Sequence, residues 1–183
     1  MRGALIFFDI DGTICRYGER PPASAKEAFR RLHEKENIAF LCTGRGEADI
    51  PREILDLGFE GIVSGMGADV RIGGRLLRHR FIPPSLLAET AGALLTQGIA
   101  AMFTGQYDVF CTENFSVAAQ SSVIRSVDDV LRRGACPQIS SLDLEYSGIG
   151  ELEPCLPAIQ KHSRLVEYNP NSGQTELIGV NKS

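Results

Sequence analysis

The rhythm of apolar and polar positions changes once along the chain, near residue 75. Before it stand the apolar runs ALIFF (4–8) and IAFLCT (38–43), and the shorter GIVSG (61–65). Apolar runs without alternation fit strands buried on both faces of a parallel sheet. Between the first two, Ala25, Ala28, Phe29 and Leu32 recur at helical spacing and predict an amphipathic helix to about Glu36, with Ser24 and Glu27 placed as a capping box. A second helix is expected within 47–57, stopped by Gly58. Strand, helix, strand, helix, strand is the order of an open α/β sheet.

Hairpins and helices then alternate. DVRIGGRLLRH (69–79) reads as a hairpin turning at Gly73-Gly74, Ser85 to Gln97 as a helix, and IAAMFTGQYDVFCT (99–112) as a hairpin turning near Gly105. Ser126 is placed to cap a short helix ending at Gly134, and LDLEYSG (142–148) alternates like a half-buried strand. RLVEYNPNSGQTELIGV (164–180) reads as a last hairpin turning at Pro170 to Gly173. The expectation is an α/β core of residues 1–74 plus 175–183, interrupted by a smaller inserted α+β domain over 75–174.

Composition narrows the function classes. At 183 residues, with 43% hydrophobic and 23% charged positions, the chain has the make-up of a soluble globular protein. No apolar run reaches the roughly 18 residues of a membrane span, and the N-terminal run passes straight into Asp9 without a cleavage site. The five cysteines, Cys15, Cys42, Cys111, Cys136 and Cys155, never fall at C-x-x-C spacing, so reduced thiols in a cytoplasm are expected. His33, His79 and His162 are isolated and read as structural. A net charge of −4 without a basic run disfavours nucleic acid as a partner.

The chemistry concentrates where the first strand ends. Ligands of open α/β sheets bind beyond the carboxyl ends of the strands, where Asp9 and Asp11 fall, followed by the turn-former Gly12. Two carboxylates at one crevice repel each other, and a divalent cation such as Mg²⁺ relieves the repulsion. A carboxylate held there can also attack phosphorus. The alternative is a pair of solvated loop acids. Tyr107, Asp108, Glu113 and Asn114 follow a hairpin turn, and a solvent-facing loop is their plainer reading.

FFDIDGTI (7–14) resembles the first motif, D-x-D-G-T-[IL], of the haloacid-dehalogenase-like (HAD) hydrolases. FLCTGR (40–45) resembles their second motif, a hydroxyl residue closing the second core strand. IGVNKS (178–183) resembles the segment carrying the third-motif lysine in the Cof-type branch, which inserts a large cap between the second and third motifs. The resemblance implies a HAD-like parallel-sheet core with an inserted cap, and Mg²⁺-dependent removal of phosphate from a small metabolite through an aspartyl-phosphate. By the same resemblance Asp9 is the nucleophile and Asp11 the general acid and base. Thr43 and the N–H of Gly44 bind the phosphoryl group, Lys182 neutralises its charge, and Mg²⁺ sits on the Asp9 side chain and the Asp11 backbone carbonyl. Arg45 is a further candidate for substrate contact, with a helix-start arginine as the alternative.

Two departures stand beside the match. Met66 occupies the place of a family asparagine, and the sequence ends one residue after Lys182, without the acidic fourth motif. An incomplete core sheet, self-association through it, and phosphate or partner binding without turnover are the expectations that follow.

Overall fold

The computed structural model describes residues 3–16, 18–116, 122–132, 138–169 and 174–178, the last stretch from 164 by its backbone. Contacts divide the chain into two compact units, Met1–His79 and Arg80–Ser183.

The first unit holds a sheet in the order β1 (Leu5–Phe8), β2 (Ile38–Cys42), β3 (Gly61–Ser64), β4 (Asp69–Ile72), β5 (Arg75–His79). The first three strands are parallel, and β4 and β5 fold back antiparallel. Helices α1 (Ala23–Glu34) and α2 (Arg52–Leu55) connect the parallel strands. Their side chains Phe29 and Ile54 bury Ala39 and Leu41, and the Phe8 ring meets Phe29 at 4.7 Å between centroids. The register pairs Leu5 with Ile38 and Phe7 with Phe40, so by strand alternation these four share the opposite face. On that face Leu5 is 54%, Phe7 58% and Ile38 45% exposed. The expectation that β1 is buried on both faces is therefore corrected: it is an edge strand, paired with β2 alone among the described residues.

One helix expectation also changes, and another is met in shortened form. Ser24 and Glu27 form no capping box, because α1 starts two residues earlier behind Pro22, whose carbonyl accepts the N–H groups of Ala25 and Lys26 at 3.0 and 3.2 Å. Glu27 turns instead to Arg30 and Arg31, which hold its carboxyl down to about 2. The helix expected within 47–57 is present as the single turn of α2, kept short because Pro51, which lacks the N–H that would continue the ladder, separates it from a 3-10 turn at Glu47–Asp49. The hairpin does turn at Gly73 and Gly74, both at positive φ. It closes on β3, so the unit boundary lies after His79 and not at the turn.

The second unit comprises α3 (Pro84–Gln97), β6 (Ala100–Gly105), β7 (Val109–Thr112), β8 (Ser122–Ile124), α4 (Val127–Leu131), β9 (Ile139–Glu145), α5 (Ile149–Leu152), α6 (Leu156–Ile159), β10 (Arg164–Asn169) and β11 (Gln174–Ile178). Its sheet order is β10-β11-β9-β6-β7-β8, antiparallel except for β7 with β8. Leu87, Ala91 and Leu94 of α3 pack on Ala101, Phe103, Phe110, Leu142 and Leu144, with the Phe103 and Phe110 rings stacked at 5.4 Å. Gly98, at φ +65, ends α3 in the left-handed conformation. Ser126 caps α4 as expected and completes a capping box with Asp129. Pro170 to Gly173, Gly134 and residues 179–183 lie outside the described residues. Strand β11 pairs with β9, which keeps 174–178 in this second sheet where a return to the first was expected at 175. No helix of the described residues is long and apolar enough to cross a membrane.

Candidate active site

The last paired residues of β1 and β2 are Phe8 and Leu41, and Asp9 follows at once. The chain then winds around one acceptor: the Ile10 carbonyl takes the N–H groups of Thr13, Ile14 and Cys15 at 3.2, 2.9 and 3.2 Å. Gly12 adopts φ +79 with open space where a Cβ would sit, so backbone conformation and not crowding demands glycine there. Ile10 and Ile14 are buried and anchor the turn, while Asp9 remains exposed. The Asp9 carboxylate makes no hydrogen bond or ion pair among the described residues.

Asp11 is held differently. Arg45 donates to both of its oxygens, Nε to Oδ2 at 2.8 Å and Nη2 to Oδ1 at 2.9 Å, a bidentate fork between half-buried partners. The remaining Nη1 reaches the Asp49 carboxylate and backbone carbonyl, each at 3.4 Å. Burial pushes the Asp49 carboxyl up, Arg45 opposes that, and the charge of Asp11 adds to it. Burial and then Asp11 likewise raise the Cys15 thiol, which disfavours its thiolate.

Thr43 follows the end of β2, only 5% exposed, and its Oγ1 accepts the Arg45 N–H at 3.2 Å. The Arg45 carbonyl in turn accepts the Gly65 N–H at 2.8 Å. Thus Asp9, Asp11, Thr43, Gly44 and Arg45 gather at the carboxyl ends of β1 and β2, and Lys182 lies outside the described residues. Arg45 spends its guanidinium on two carboxylates. Asp49 was missed by sequence reasoning, although its spacing four residues after Arg45 was a usable signal.

Magnesium suits one or two carboxylates plus water and phosphate oxygens. An exposed, unengaged Asp9 fits that demand, whereas both side-chain oxygens of Asp11 are committed to Arg45. No group of three His, Cys, Asp or Glu among the described residues is placed to hold a metal.

A family profile described as haloacid dehalogenase-like hydrolase matches residues 6–142. The chain belongs to this family. Among curated proteins it is 24% identical to one from Streptococcus pyogenes, provisionally named a bifunctional phosphatase/peptidyl-prolyl cis-trans isomerase, across 98% of this chain. The chain spans 39% of the length of that relative. Among solved structures, a HAD subclass IIB sugar phosphatase superposes with a TM-score of 0.72 at 20% identity, covering 99% of this chain and 71% of the other. A haloacid dehalogenase-like hydrolase from B. subtilis gives 0.73 at 17% identity, covering 96% and 73%. At such identities the likeness establishes the fold, a HAD-like α/β architecture.

Within that family frame the residue after Gly65 stands out. Met66 sits at φ 53 and ψ 33, between two glycines also at positive φ. Asparagine, expected here from the resemblance, tolerates that region better than methionine does. A cleft of about 340 Å³ between α1 and α2, lined by Lys26, Arg30 and Asp56 among others, contains none of the candidate site residues.

Proposed function

We propose that the chain carries the phosphoryl-transfer centre of a phosphatase acting on a small phosphorylated metabolite. One observation carries the reading: an exposed, uncommitted Asp9 stands two residues from a clamped Asp11, at the end of the strand where the family match begins. Asp9 attacks phosphorus and the bond from phosphorus to the leaving oxygen breaks. One contact of the Arg45 clamp opens, the released Asp11 oxygen takes a proton from solvent, and Asp11 passes that proton to the leaving oxygen. Water then attacks the aspartyl-phosphate, Asp11 takes the proton, and phosphate leaves with Asp9 restored. The Thr43 hydroxyl and the Gly44 N–H bind phosphoryl oxygens and Lys182 balances their charge, since this chemistry depends mainly on positioning and charge stabilisation. Mg²⁺, held by the Asp9 side chain and the Asp11 carbonyl, would supply further charge neutralisation. A cytoplasmic setting belongs to the same reading, supported by the thiols of Cys15, Cys42 and Cys155, which form no disulfide among the described residues.

The test is hydrolysis of 4-nitrophenyl phosphate by this chain, with and without Mg²⁺, beside Asp9→Asn. Turnover that needs Mg²⁺ and falls about a thousandfold in the variant is expected. Equal rates in both proteins would remove Asp9 from the chemistry. A second reading, phosphate binding without turnover, draws on the engagement of both Asp11 oxygens by Arg45. Calorimetric phosphate binding with no hydrolysis would establish it instead.

A further inference from the structure

Resting on the phosphatase reading, we infer that Asp69, held by His79, determines specificity by accepting a hydrogen bond from a donor on the leaving group of the substrate. Asp69 opens β4 opposite Ser64, the last residue of β3, and opposite His79, the last of β5. It therefore lies at the sheet edge where β1 and β2 deliver Asp9 and Thr43, two strands from Thr43 and about 10 Å away at ordinary strand spacing. Ligands of open α/β sheets occupy that edge.

Among the buried side-chain atoms without a partner among the described residues, that of Asp69 alone belongs to a carboxyl group. The residue is 1% exposed, its Oδ1 accepts from His79 Nδ1, and its Oδ2 is fully buried with no hydrogen-bond partner among the described residues. An unmet buried polar atom costs about 1–3 kcal/mol, more when charged, and native proteins keep few of them. A carboxylate oxygen accepts, so the absent partner is a donor: a hydroxyl or a protonated amine.

The backbone fixes this acceptor relative to the catalytic groups. Gly65, Met66 and Gly67 stand at φ 54, 53 and 87 just before Asp69. The Gly65 N–H is bonded to the Arg45 carbonyl, and the Ala68 N–H to the Gly65 carbonyl at 2.9 Å. Strain of this kind persists where surrounding structure over-determines it, characteristically at ligand clamps. Through it the position of Asp69 is tied to the residue that clamps Asp11. A pair serving only to join β4 to β5 would gain nothing from an open carboxylate oxygen.

The experiment compares kcat/KM for glucose 6-phosphate and glucosamine 6-phosphate, which carry hydroxyl and ammonium donors, with that for 4-nitrophenyl phosphate, whose leaving group carries none. In Asp69→Asn the amide oxygen stays on His79 and a donor replaces Oδ2, so the sugar-to-aryl ratio is expected to fall at least tenfold. Whichever sugar loses more identifies the donor. His79→Asn, which keeps a donor for Oδ1, is expected to hold the ratio within threefold, and His79→Leu to lower it through a higher KM for the sugar. A ratio unchanged within twofold in both Asp69→Asn and His79→Leu, with aryl turnover intact in the parent chain, overturns the inference alone. A parent chain that hydrolyses none of the three overturns the phosphatase reading beneath it.

Discussion

Strands β1 and β6 are both apolar, yet Leu5 and Phe7 of β1 are more than half exposed whereas every residue of β6 is buried. In the first unit, helices cover one face of the sheet and leave Leu5, Phe7 and Ile38 open on the other. In the second, core residues are sealed, but the hydroxyls of Thr104, Ser140 and Ser141 are buried without partners among the described residues. Thr104 pairs with Ser141, and a register shift at Gly105 and Ile139 places Ser140 as the extra residue of a bulge. The first unit leaves an apolar strand face in water, and both units bury polar side-chain atoms, Asp69 Oδ2 in the first and three hydroxyls in the second. Apolar sequence thus states a need for burial without saying what will meet it.

The sharpest way to break the comparison is to truncate one phenylalanine in each sheet. Phe103→Ala, at 0% exposure, is expected to cost about 3–5 kcal/mol in urea unfolding. Phe7→Ala, at 58% exposure, should cost less than about 1 kcal/mol. Equal losses would mean that the open face of the first sheet is covered in solution.

Acid separates the units next. His162 is buried in the second unit between Thr90 Oγ1 at 2.7 Å and Ser163 Oγ at 2.5 Å. Burial lowers its pKa to about 4, the charge of Glu89 opposing. Below pH ~6.5 the unfolded chain takes up a proton that the folded chain refuses, so the stability contributed above that pH is lost as pH falls towards 4. The loss totals about 3 kcal/mol, and His162→Gln should flatten that part of the pH profile. A profile identical in the two proteins would show that His162 takes its proton without cost.

What could be read in advance follows the same division between local and non-local causes. The D-x-D turn, the Gly73-Gly74 hairpin and the Ser126 cap depend on neighbours in sequence, and each stands where expected. The short β8, α5 and α6, of three, four and four residues, are too brief for a periodic signal, with Pro154 just beyond α5 and Pro157 in the first turn of α6. The break at Pro51 was legible from the proline itself. The exposure of β1 depends on cover from elsewhere, which no local pattern encodes. The Arg45 clamp on Asp11 joins residues 34 apart, and the buried Asp69 and His79 pair joins neighbouring strands of a hairpin whose alternation is broken by a bulge.

The smallest expected effect lies at Met66, a non-glycine residue held at positive φ. A side chain held at φ 53 pays about 1–2 kcal/mol that glycine would not, and asparagine offsets part of it by local hydrogen bonding. Met66→Asn and Met66→Gly are therefore expected to raise stability by about 0.5–1 kcal/mol, and Met66→Val, branched at Cβ, to lower it by at least as much. Urea unfolding of the three variants checks the order. If all three lose stability, packing of the half-buried thioether outweighs the backbone strain, and the departure from asparagine is a packing choice. If the order holds, the strain is retained at a loss of stability, which places its benefit in the neighbouring loop contact with Arg45.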